Sequence, residues 1–146
     1  MKKNVETMLA YFSQIRRVYA ASLNEKFTEE NFSPSEISIL FLLLNNPSIT
    51  TGSQLTTVLG VSKGLISRSL DSLLQRGFIS LMEDQRDKRV RHIRLTEEAA
   101  PITARVKECV EEVNGRLLAD ISEEEIRQME TTMMKILKRF EDAEVE

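Results

Sequence analysis

Two of the side chains most used for covalent and metal chemistry are almost missing from this 146-residue chain, with Cys109 as its one cysteine and His92 as its one histidine. A single thiol excludes an intramolecular disulfide and suits a reducing compartment, so a cytoplasmic location is expected. A zinc site of the usual His and Cys ligands is not expected either, which leaves open only a site built largely of carboxylates. Cys109 stands between Glu108 and Val110, with Glu111 and Glu112 following; acidic neighbours disfavour a thiolate, and a structural role is expected. The chain has no glycine-rich phosphate loop and no Gly-x-Ser-x-Gly elbow, and it has too few His and Cys for the common triads. These absences weigh against an enzyme and imply no cofactor. No segment approaches the roughly 18 uncharged apolar residues of a membrane helix, and residues 1–10 hold two lysines but no continuous apolar run. Neither a membrane association nor an export signal is expected.

What is present fits one compact domain, or one domain plus helical extensions, since a chain of this length can bury about 68–70% of its unfolded surface. The net charge is −3 and the pI about 5.4, but the charges are segregated. Residues 62–94 carry eight cations against four carboxylates, a local balance of +4 that leaves −7 on the rest of the chain. An acidic body with one basic segment suits a protein that meets nucleic acid on a single face, although a basic run is also what an ordinary solvated surface shows.

Helical spacing is legible along most of the chain. Val5, Met8, Leu9, Phe12, Ile15, Val18, Tyr19 and Leu23 recur mostly at intervals of three and four, predicting a long first helix. Ser33-Pro34-Ser35-Glu36 offers an N-cap, a proline at the first helical position and a glutamate at the third, opening a helix through Ile37, Leu40, Phe41 and Leu44. Thr51-Gly52-Ser53-Gln54 predicts a further capping box for a short helix that stops at Gly60. Ser62 then caps the next helix, with Leu65, Ile66, Leu70, Leu73 and Leu74 as its apolar stripe.

Helix, three-residue turn, helix is the helix-turn-helix arrangement, in which the first helix braces the second and the second offers its N-terminal residues to the major groove. The candidate contact residues are Ser62, Lys63, Gly64, Ser67 and Arg68. Gly64 and Ser67 are small enough for close approach, while Lys63 and Arg68 can neutralise phosphates or reach guanine edges. A helical hairpin within a bundle would show the same pattern. Gly77 closes this helix, and residues 78–82 and 91–95 read as two strands around the polar tip Asp84-Gln85-Arg86-Asp87-Lys88-Arg89. The expected fold is therefore mainly α with a small β-hairpin wing, a winged helix-turn-helix. Arg86, Lys88 and Arg89 concentrate where they reach a minor groove or the backbone. Asp84 and Asp87 are expected to support the wing by accepting hydrogen bonds from loop amides or pairing with its arginines. His92 reads as a surface histidine of the wing strand.

The chain resembles the MarR, or multiple-antibiotic-resistance, family over nearly its whole length. Val61-Ser62-Lys63-Gly64-Leu65-Ile66-Ser67-Arg68 is similar to the start of that family's recognition helix, and Leu74-Gln75-Arg76-Gly77-Phe78-Ile79 to its turn into the wing. Asp84-x-Arg86-Asp87-x-Arg89, followed by Leu95-Thr96, resembles its wing signature. The family usually has a glycine soon after that Leu-Thr pair, where this chain has Ala99 and Ala100, a change expected only to alter how the next helix begins.

The resemblance implies a single chain over 1–146 with a DNA-binding lobe at 34–96 and dimerisation helices at 1–30 and 97–146. The sequence gives its own reason for a homodimer. Ile102, Val106, Val110, Val113, Leu117 and Leu118 form one stripe, and after the capping box Ser122-Glu123-Glu124-Glu125 a last helix bears Ile126, Met129, Met133, Ile136, Leu137 and Phe140. A monomeric bundle folded back on its own winged domain is the alternative. A dimer implies a pseudo-palindromic operator in double-stranded DNA, with half-sites about 34 Å apart. The resemblance also implies a cleft for a small-molecule effector that loosens DNA binding, for which Tyr11, Phe12, Ile15, Arg16, Tyr19 and Phe41 are the candidate lining residues. The rival function is a winged-helix adaptor that binds protein without specific DNA binding; salt-dependent affinity for duplex DNA separates the two.

Overall fold

The computed structural model describes residues 4–144, so Lys2, Lys3 and the outermost residues of the expected flanking segments lie outside the described residues. Among the described residues, six α-helices and one hairpin follow in order: α1 Val5–Lys26, α2 Pro34–Asn45, α3 Gly52–Leu59, α4 Lys63–Gln75, β1 Ile79–Glu83, β2 Arg91–Leu95, α5 Ala100–Leu117 and α6 Glu123–Glu144. A single turn of 3-10 helix, Glu97–Ala99, runs directly into α5, so the two alanines continue the chain into helix instead of breaking it. Among the described residues no helix is long and apolar enough to cross a membrane.

Local chemistry sets most helix ends. Ser33 and Glu36 form a reciprocal capping box with Pro34 at the first helical position, and Thr51 and Gln54 form a second at α3. Ser122 and Glu125 exchange the same pair of bonds at α6. Gly60 ends α3 in the left-handed region at φ 63°, and Gly77 turns the chain from α4 into β1 at φ 79°, conformations that cost a residue with a Cβ about 1–2 kcal/mol.

The chain divides into two compact units, Met1–Val113 and Asn114–Glu146. In the first, Leu23, Phe27, Ile37, Leu40, Leu55, Ile66, Leu73, Ile79, Val106 and Val110 join in one core, all of them 2% exposed or less. Cys109 packs into the edge of the same core. On α4 the buried positions are Ile66, Ser69 and Leu73. Leu74, expected in that stripe, is 40% exposed, because it lies one residue and hence about 100° around the helix from Leu73. Of the apolar stripe of α1 only Leu23 is fully buried; Val5, Leu9, Phe12, Ile15 and Val18 are exposed, Ile15 at 61%. In the second unit, α6 exposes Met129, Met134, Leu137 and Phe140.

The hairpin is antiparallel, with Ile79 opposite Leu95, Leu81 opposite Ile93 and Glu83 opposite Arg91. β1 starts one residue later than expected, since Phe78 uses its carbonyl to accept from Thr96 and its amide to close the turn from Leu73. On the free edge of β2 the Ile93 amide donates to the Thr50 carbonyl at 2.6 Å, so the loop before α3 docks alongside the wing.

Candidate nucleic-acid interface

α4 reaches solvent with its N-terminal turns. The Ser62 hydroxyl oxygen accepts from the Leu65 amide at 3.1 Å, which caps the helix and leaves the hydroxyl proton available. Lys63, Gly64, Ser67 and Arg68 are all exposed. Arg68 folds back one turn over Gly64: a Cβ built at Gly64 would stand 3.4 Å from Arg68 Nη1, so the glycine makes room for the guanidinium against the helix. Lys63 and Ser67 share an open groove of about 760 Å³ with Thr51, Ser53 and Thr56 near the start of α3 and with Arg89, Arg91 and Ile93 of the wing. Lys63 and Ser67 of α4 and Arg89 of the wing thus face one space, which Ser62, Gly64, Arg68, Arg86 and Lys88 do not line.

The wing tip is internally braced. Asp84 Oδ2 accepts from the amides of Arg86 and Asp87, each at 3.0 Å, and the Asp84 amide donates to the Val90 carbonyl at 2.9 Å. Asp87 accepts from the Arg89 amide at 3.0 Å and from its Nε and Nη2 at 3.1 and 3.2 Å. The carboxyl of Asp84 is held below its ordinary value by His92 first and then by the two loop amides; that of Asp87 is lowered by the Arg89 side chain and amide. Arg86 and Lys88 are exposed, and the Arg89 side chain, although paired, is 91% exposed.

One cation of the basic segment does not belong to this surface. The Arg76 guanidinium sits 4.1 Å from the Phe32 ring centroid and 5.5 Å from that of Phe78, donates to the Glu30 carbonyl at 2.7 Å and lies 3.8 Å from Glu36. Its charge braces the underside of the lobe.

Sequence reasoning missed the part played by His92. The ring is half-buried, with Nε2 2.9 Å from Asp84 Oδ1 and Nδ1 2.9 Å from Thr50 Oγ1. Thr50 lies 42 residues away, and a lone threonine ahead of a helix cap carries no periodic signal. The six residues named for an effector cleft are spread over α1 and α2. Tyr11, Phe12 and Ile15 are exposed, while Tyr19 and Phe41 pack against the core, where burial raises the Tyr19 hydroxyl above its ordinary value. Arg16 donates to the Leu59 carbonyl at the end of α3 at 2.7 Å. None of the six lines the groove between α4 and the wing.

Two helices joined by a tight turn, the second open at its N-terminus and flanked by a two-stranded basic hairpin, define a winged helix-turn-helix protein. A sequence profile described as MarR family matches residues 30–90, the segment that holds these elements, so over that segment the chain is similar to MarR-family proteins. Among solved structures it is similar to the transcriptional regulator PA3341, with a TM-score of 0.79 and 25% identity over 95% of this chain and 99% of that one. A C80S mutant of MarR from E. coli complexed with operator DNA matches with a TM-score of 0.71 at 22% identity, over 91% and 95% of the two chains. An S. aureus MepR–DNA complex matches with a TM-score of 0.71 at 20% identity, over 89% and 96%.

Proposed function

We propose that the chain is a homodimeric regulator that binds a pseudo-palindromic operator. Ser62, Lys63, Gly64, Ser67 and Arg68 enter the major groove, Arg86, Lys88 and Arg89 meet the adjacent minor groove or backbone, and a small-molecule effector releases the complex. The observation that carries this reading is the shared groove: Lys63 and Ser67 at the start of α4 and Arg89 of the wing line the same space, so one duplex can meet both elements. Asp84 and Asp87 shape the wing and do not face phosphate as free charges, because their oxygens are committed to loop amides, His92 and Arg89. Two of the similar structures hold DNA, which supports the same use of the fold here.

The dimer is supported by apolar side chains that the single chain leaves in water, on α1 and on α6, with residues 1–30 and 97–146 as its helices and 34–96 as the DNA-binding lobe. Effector release is supported by Arg16. It joins α1 to the Leu59 carbonyl at the end of α3, so an anion that draws its guanidinium away loosens the helix that braces α4.

The test is fluorescence anisotropy of the protein against the duplex upstream of its own gene and a shuffled control, at two salt concentrations. Tight binding that prefers the native duplex and falls steeply with salt is expected. Weak binding equal on both duplexes and insensitive to salt would overturn the reading in favour of a protein-binding winged adaptor.

A further inference from the structure

We propose that His92 is the positioning residue of the wing, tying its tip to the start of α3 and thereby setting where Arg86, Lys88 and Arg89 meet the DNA backbone; this rests on the DNA-binding reading above. A hairpin of two five-residue strands has little stability of its own, so its direction depends on what its sides touch. β2 touches Thr50 twice. The Ile93 amide donates to the Thr50 carbonyl, and one residue earlier the His92 ring meets the Thr50 hydroxyl.

The second contact continues to the tip. The Gln54 side chain, in the first turn of α3, accepts from the Thr50 amide at 2.8 Å. Thr50 Oγ1 lies 2.9 Å from His92 Nδ1, His92 Nε2 lies 2.9 Å from Asp84 Oδ1, and Asp84 Oδ2 gathers the amides of Arg86 and Asp87. Every link is 3.0 Å or shorter, and the chain of links runs from the first turn of α3 to the turn that displays Arg86.

The chemistry assigns the tautomer. An ionised carboxylate only accepts, so the ring must carry its proton on Nε2, and Nδ1 then accepts from the Thr50 hydroxyl. Protonation of Nδ1 reverses that one contact, with the ring donating to Thr50, and leaves the Asp84 bond in place. His92 needs no contact with DNA to act: without it the wing keeps its arginines and loses the strut that aims them.

The experiment is a double-mutant cycle on one operator duplex, read by anisotropy. His92→Leu is expected to weaken binding by about tenfold. Arg86→Ala is expected to cost little more in that background, because a misaimed arginine has little left to lose, whereas Arg68→Ala, on α4, should add its full effect to that of His92→Leu. His92→Gln, whose side-chain amide reaches the position of Nε2, should recover most of the affinity. Thr50→Val, outside the proposed contact set, should weaken binding by about threefold in the same non-additive way. Full additivity between His92→Leu and Arg86→Ala would overturn the proposal. A ¹⁵N spectrum of the free protein gives a reading independent of DNA: a proton on Nε2 of His92 is expected, and one on Nδ1 alone would overturn the relay. If the wild-type protein bound no duplex, the DNA-binding reading would fall and take the wing's aiming role with it, while the ¹⁵N spectrum would still decide the relay.

Discussion

Arg76 and Arg89 belong to the same basic segment, yet the structure gives them opposite tasks. Arg76 spends its charge on Phe32, Phe78 and the Glu30 carbonyl, whereas Arg89 projects into solvent with Asp87 fixing its plane. Replacing Arg86 or Arg89 by alanine should therefore weaken binding to every duplex and flatten the salt slope by about one unit for each lost phosphate contact. Arg76→Ala should leave the slope unchanged and lower the unfolding midpoint in urea; a changed slope would return Arg76 to the interface. The wing carboxyls make a prediction about acid. Both Asp84 and Asp87 are held below the ordinary value of 3.8. A lowered carboxyl stabilises the folded wing fully above that value and loses its contribution as the pH falls through the lowered one. Wing contacts should thus be intact near neutrality and come apart only in acid. Carboxyl ¹³C titration should place both midpoints below 3.8, and a midpoint at or above it would contradict the hydrogen bonding described.

At the scale of elements, the local signals were the readable ones. Three capping boxes, the Ser62 cap and the glycines at 60 and 77 each depend on residues within four positions of one another, so sequence alone located those helix ends. Ser69 and Leu74 show where that legibility stops. Ser69, small and polar, is buried in the stripe while Leu74, apolar, lies outside it, because the choice depends on how α4 is rotated against α2 and α3. His92 and Arg16 lie beyond local reach altogether, since their partners Thr50 and Leu59 are 42 and 43 residues away, and the contacts exist only once the lobe has folded. Gly77 permits a clean test of the backbone term: a Cβ there meets no atom within 4 Å at φ 79°. Gly77→Ala should cost about 1–2 kcal/mol in urea unfolding through backbone strain alone, and Gly77→Asn should cost less, since asparagine tolerates that region. Equal stability of all three would mean that the turn relaxes elsewhere.

For the whole molecule, the exposed apolar side chains of α1 and α6 are what the proposed dimer would cover. A mass near twice 16.7 kDa is expected by light scattering. Ile15→Glu and Leu137→Glu should each shift the protein towards monomer and steepen the concentration dependence of DNA binding. A wild-type monomer at micromolar concentration would overturn the dimer. These faces were visible as stripes in the sequence, but what covers them was not, because periodicity marks a face and leaves its neighbour open.

The bond between the Ile93 amide and the Thr50 carbonyl has a consequence for solubility. A wing offered to a large ligand must stand out from the body, and a protruding two-stranded sheet presents unpaired edges on which another chain can template. Thr50 occupies part of the outer edge of β2, while exposed Arg91 and Arg94 place charge along that strand. The segment that holds the wing in place also keeps that stretch of the β2 edge from pairing with another strand, so the tip of the hairpin can stand in solvent with less of its edge open to fibre growth.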